Sequence, residues 1–109
     1  MFARFLEMKA KKGQARELCD VIESKGLPVL KKYPGFLDAL ALVPEGTPDS
    51  VLAMSFWTTR EAAEKYRTEG YGKVAELYRP FLEGTIHVRA GNVSVGMASL
   101  VTKAKAARL

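Results

Sequence analysis

The sequence predicts an α+β domain of the ferredoxin-like type, β-α-β-β-α-β, with an antiparallel sheet. Three observations carry that expectation. Four short segments are apolar in alternation or in a continuous run, two longer ones repeat their apolar residues at helical spacing, and turn formers separate them. A chain of 109 residues forms one domain and buries a core without disulfides or a structural metal.

"MFARFLEMK" alternates as a strand over residues 2 to 9, and "AKKG" makes the turn that follows. In "QARELCDVIESKGLPVLKKY" the residues Ala15, Leu18, Cys19 and Ile22 fall at i, i+3, i+4 and i+7, one apolar helical stripe. Cys19 lies within that stripe and reads as a small buried hydrophobe. Pro28 should kink or interrupt this helix, because it has no amide to donate and its ring crowds the previous turn. Pro34 and Gly35 punctuate the chain before an apolar run at 36 to 43, and the turn-rich "PEGTPDS" leads to a third strand at 51 to 57. These two strands should pair as an antiparallel hairpin.

Thr58 and Glu61 have the spacing of a capping box that opens a second helix running to about Glu69. Gly70, Gly72 and Ala75 then imitate the glycine spacing of a dinucleotide site, but that fingerprint must follow a strand and open a helix. Here it follows a helix, so Gly70 reads as a helix terminator and Gly72 as the start of a second piece in which Tyr71, Val74, Ala75 and Tyr78 keep helical spacing. Pro80 ends it, and "GTIHVRAGNVSV" over 84 to 95 is the last strand.

Strands apolar on both faces need a cover on each side. The helices supply one, and a second copy related by two-fold symmetry supplies the other, so the expected assembly is a homodimer. The net charge of +5 does not point to nucleic acid. Lys103, Lys105 and Arg108 sit in an acid-free extension over 96 to 109; without it the balance is 14 basic to 12 acidic residues, with no aromatic-interleaved basic face. No apolar run reaches the roughly 18 residues of a membrane span, and a single cysteine permits no internal disulfide. The expected location is the cytoplasm. One histidine and one cysteine make no recognisable metal ligand set.

The "KKG" turn, the "YPGFLDA" lead into the second strand and the "FWTTREAAEKY" junction between third strand and second helix resemble the antibiotic biosynthesis monooxygenase family of dimeric α+β barrels, over about residues 1 to 95. The resemblance implies an oxygenase that works with O₂ and no metal or flavin cofactor on an electron-rich phenolic or quinol-type substrate. Members that oxidise polyketides place an Asn, a Tyr, an Arg and a His around the conserved Trp. The corresponding positions here are Ala53, Ala63, Tyr78 and Leu42. The haem-degrading branch requires an Asn on strand one and a His on helix two, and this sequence has neither. The alternative is a non-catalytic barrel that binds a small aromatic or hydrophobic molecule.

Trp57 matches the family's pocket Trp, and with Tyr66, Tyr71 and Tyr78 it is the candidate substrate-binding set, although aromatics at helical spacing also build plain cores. His87 is the only histidine, the residue type most suited to proton transfer near neutrality, which makes it the candidate general base. Alternation places it with Thr85 and Arg89 on the more polar face of the last strand, which suits solvent or a dimer contact equally well.

Overall fold

A computed structural model describes residues 1–94; the basic extension over 96 to 109 lies outside the described residues. Strand β1 (Phe2–Lys9) is followed by α1 (Ala15–Val21), a π-helical turn (Ile22–Gly26) and α2 (Leu27–Leu30). Strands β2 (Phe36–Leu42) and β3 (Ser50–Trp57) come next, then α3 (Arg60–Glu69), α4 (Tyr71–Tyr78), a 3₁₀ turn over Arg79–Phe81 and β4 (His87–Asn92). The order is the expected β-α-β-β-α-β, and the sheet runs β2-β3-β1-β4 with every neighbouring pair antiparallel.

The register divides the sheet into two unlike faces. Phe2, Arg4, Leu6 and Met8 of β1 stand opposite Trp57, Ser55, Ala53 and Val51 of β3, and the helices pack on this side. Trp57, Leu18, Val51 and Val74 are the largest fully buried side chains of the core between them. The other face carries Phe5, Leu52 and Met54 with Leu40 and Leu42, the last two exposed at 44% and 41%. No element of the described chain covers it.

The helical segment ends as its sequence dictates, with three refinements. Pro28 does interrupt the first helix, but by widening rather than breaking it. The Leu27 amide reaches back to the Ile22 carbonyl, one residue farther than in an α-helix, and the α pattern resumes when Lys31 N–H meets the Leu27 carbonyl at 3.0 Å. The extra residue in the turn relieves the crowding of the proline ring against the preceding carbonyls. The cap of α3 is Thr59, not Thr58: the Thr59 hydroxyl accepts from Ala62 N–H at 3.1 Å. Thr58 is used earlier, its amide donating to the Gly35 carbonyl at 2.8 Å. Gly35 has φ of 88°, the left-handed region, and a Cβ there would also meet Ala62 at 2.6 Å.

Of the glycines that imitate a nucleotide loop, Gly70 has a packing explanation, whereas a Cβ at Gly72 would meet nothing within 4 Å. Gly70 ends α3 with φ of −124°, so the left-handed termination expected there is absent. A Cβ at Gly70 would stand 2.7 Å from the Tyr33 hydroxyl, so a larger residue there would require that ring to shift. Strand β4 is shorter than expected, beginning at His87 rather than residue 84, and all six of its residues are exposed at the sheet edge. Among the described residues no helix is long and apolar enough to cross a membrane.

Candidate functional site

Between the helices and the covered sheet face lies a cavity of about 360 Å³, within the range of small-molecule sites. Strands β1, β2 and β3 supply a floor of Arg4, Leu6, Ala39, Ala53 and Ser55; α1, the π turn and α2 supply Cys19, Ile22, Glu23 and Leu27. Tyr66 from α3, with Tyr71 and Tyr78 from α4, completes the wall. The cavity exists because small side chains, Ala39 and Ala53, occupy the sheet centre where larger ones would meet the helices.

Three of the four expected binding residues are therefore brought together at one cavity. Trp57 stands behind it. It is fully buried, stacks on Tyr66 with ring centroids 5.1 Å apart, meets the edge of Phe36 at 5.5 Å and donates its indole N–H to Ser55 Oγ at 2.9 Å. Both Tyr66 and Ser55 line the cavity, so Trp57 fixes the wall and the floor without touching the space itself. Burial pushes the phenols of Tyr66 and Tyr78 far above their ordinary ionisation range, and Tyr71 is raised for the same reason. These tyrosines are neutral hydrogen-bonding groups at neutral pH.

The structure does not bring His87 to this site. It is exposed on β4, opposite Glu7 in register, and is absent from the cavity lining. The reason is the strand order: β4 sits at the outer edge beside β1, and its residue at this position belongs to the face turned away from the helices. Of the positions that hold polar residues in polyketide-oxidising relatives, Ala53 and Tyr78 line the cavity. Ala63 is buried in the core, while Leu42 lies on the open face.

One functional group at the cavity was not foreseen. Arg4 is 4% exposed, with its guanidinium carbon 4.9 Å from the centroid of Tyr71 and 5.6 Å from that of Tyr66. Its Nη2 has no hydrogen-bond partner, and no carboxylate among the described residues lies within ion-pair distance of it. Glu64, whose charge reaches it, is engaged by Arg67 at 2.9 Å on the surface. Desolvation lowers the pKa of Arg4 from its ordinary value, although an arginine remains charged. Burying an unpaired charge costs several kcal/mol even after relaxation. Two ring faces return about 1–2 kcal/mol each and leave N–H donors unmet.

The π turn shapes the opposite wall. A Cβ at Gly26 would overlap the Tyr78 hydroxyl, so the phenol of α4 reaches into the widened turn only because residue 26 is glycine. Ile22 and Glu23 of that turn both line the cavity. Glu23, an exposed residue, is the only carboxylate in the lining.

Residues 1–76 match the family model described as antibiotic biosynthesis monooxygenase. Among curated proteins none matches the chain. Solved structures with this fold include SnoaB, a cofactor-independent oxygenase from Streptomyces nogalater, at 16% identity and a TM-score of 0.71, covering 89% of this chain and 97% of that one. A candidate antibiotic biosynthesis monooxygenase from Deinococcus radiodurans superposes with a TM-score of 0.73 at 13% identity, covering 88% and 95% of the two chains. A conserved protein from Methanosarcina mazei Go1 gives 0.69 at 14% identity, with 86% and 94% covered.

Proposed function

The chain belongs to the antibiotic biosynthesis monooxygenase family, and from that premise we propose that it is a small oxygenase acting on an electron-rich phenolic or quinol-type aromatic with O₂, without metal or flavin. The observation that carries this reading is the cavity of about 360 Å³, lined mainly by apolar side chains and edged by three tyrosines. Such a space suits a flat aromatic molecule with a few hydroxyl groups.

The chemistry asks little of the protein. A deprotonated phenol or anthrone is itself the reductant: it passes one electron to O₂, and the resulting radical and superoxide join in a C–O bond. Protonation and loss of water from that peroxide leave a carbonyl at the same carbon, so one oxygen atom enters the product and the other leaves as water. The site contributes by holding the ring still, excluding bulk water and favouring the ionised substrate. The proton departs at the rim beside Glu23, and this reading assigns no base role to His87.

The experiment is O₂ uptake by substoichiometric protein against a panel of quinols and anthrones. Uptake above the protein-free rate with at least one member supports the reading, and none with any member contradicts it. A second reading, a binding module of the same fold, is favoured by Ala53 lying in the cavity where polyketide-oxidising relatives hold a polar residue. It predicts saturable quenching of Trp57 fluorescence with no O₂ consumed.

The assembly in this proposal is a homodimer that pairs the open sheet faces, where Phe5, Leu40, Leu42, Leu52 and Met54 would otherwise meet water. Sedimentation at micromolar concentration should give twice the chain mass of 12.0 kDa. A stable monomer there would remove the dimer.

A further inference from the structure

Arg4 is a buried cation that no carboxylate among the described residues neutralises. It lies at the floor of the cavity, its guanidinium against two rings that also line that space, and its Nη2 is left without an acceptor. The neighbouring floor residue in register, Ser55, is already taken by the Trp57 indole. A structural arginine in a core is ordinarily paired with a carboxylate or a set of carbonyls. The chain spends stability to keep a charge here, in a residue that lines the cavity.

We propose that Arg4 anchors an anionic oxygen of the ligand, so that the cavity selects aromatic molecules bearing a phenolate or carboxylate over their neutral isosteres. The inference rests on the cavity being the ligand site, as proposed above, but not on turnover. Tyr66 and Tyr71 give the guanidinium a fixed plane, which suits it to a directed contact with one oxyanion. The same contact would hold a phenolic substrate in its ionised, electron-donating form.

The test is anaerobic binding of 1-hydroxy-2-naphthoate, a monoanion at neutral pH, and its neutral carboxamide, read by quenching of Trp57, the only tryptophan. Substituting a phenolate-forming naphthol at raised pH distinguishes a phenolate from a carboxylate preference. The wild-type protein should bind the anion about 10- to 100-fold more tightly, the worth of one charge-assisted hydrogen bond. Arg4→Met should bring the two affinities together without lowering the melting temperature, since it removes an unpaired buried charge; Arg4→Lys should keep part of the preference. Equal affinities in the wild type, or a preference that survives in Arg4→Met, would overturn the assignment while leaving the cavity as the site. Failure of every probe to quench would overturn the site reading itself, and the anchor with it. Should Arg4→Met not fold, the wild-type comparison and Arg4→Lys decide the matter alone.

Discussion

Tyr66, Tyr78 and Arg4 show how much of the cavity's character is set by desolvation of single side chains. Two phenols are held neutral by burial while a guanidinium beside one of them is kept charged, so the tyrosine side of the cavity donates hydrogen bonds and its phenols carry no negative charge. Raised phenol ionisation is also a stability statement. A tyrosine that ionises higher in the folded than in the unfolded chain stabilises the fold fully below about pH 10, and that contribution is lost as pH rises toward the folded value. The urea midpoint should therefore hold from neutrality to about pH 9 and fall above about pH 10. The fall should be smaller in Tyr66→Phe; equal slopes in the two proteins would contradict the burial account. The tyrosines were legible in the sequence from their helical spacing. Arg4 was legible too, in a way the alternation alone does not announce: it occupies the same phase of β1 as Phe2, Leu6 and Met8, so the register that buries those three buries a charge with them. His87 stands outside the cavity because strand order, not residue type, decides where a side chain lies.

At the scale of elements, the π turn between α1 and α2 is the feature that joins fold to site. Pro28 marks an interruption in the sequence, but nothing in the local pattern says whether the helix breaks, kinks or widens. That outcome depends on the Tyr78 hydroxyl arriving from α4, fifty-two positions after Gly26 in the chain. Gly26→Ala should accordingly cost about 1–3 kcal/mol by overpacking. In the Tyr78→Phe background the cost should be smaller, because the hydroxyl is the atom that a Cβ would overlap. Chemical denaturation of the four proteins of this cycle measures the coupling, and an Ala substitution that costs nothing would show that the turn is not shaped by this contact. Element boundaries agree with the sequence where the signal is local: β1 spans residues 2 to 9 as expected. The start of α3 moved by one residue because both Thr58 and Thr59 can cap, and the Gly35 carbonyl claims the first.

The whole molecule follows from apolar strands that offer two faces and helices enough for one. The element order and the antiparallel pairing were readable from periodicity and turns. The sheet order and the cavity's lining were not, because both depend on which strand lies beside which. The family is that of the antibiotic biosynthesis monooxygenases, and the cavity gives the proposed chemistry an aromatic-edged space. Ala53 lies at the centre of the cavity floor, so a larger residue there should fill the space while leaving the sheet register intact. The most direct test is thus O₂ consumption by the wild-type protein and by Ala53→Phe, over one panel of quinols and anthrones, with circular dichroism confirming that both are folded. Uptake by the wild type that is lost in the filled variant is the predicted result; no uptake by either, or the same uptake by both, would contradict an oxygenase working in this cavity.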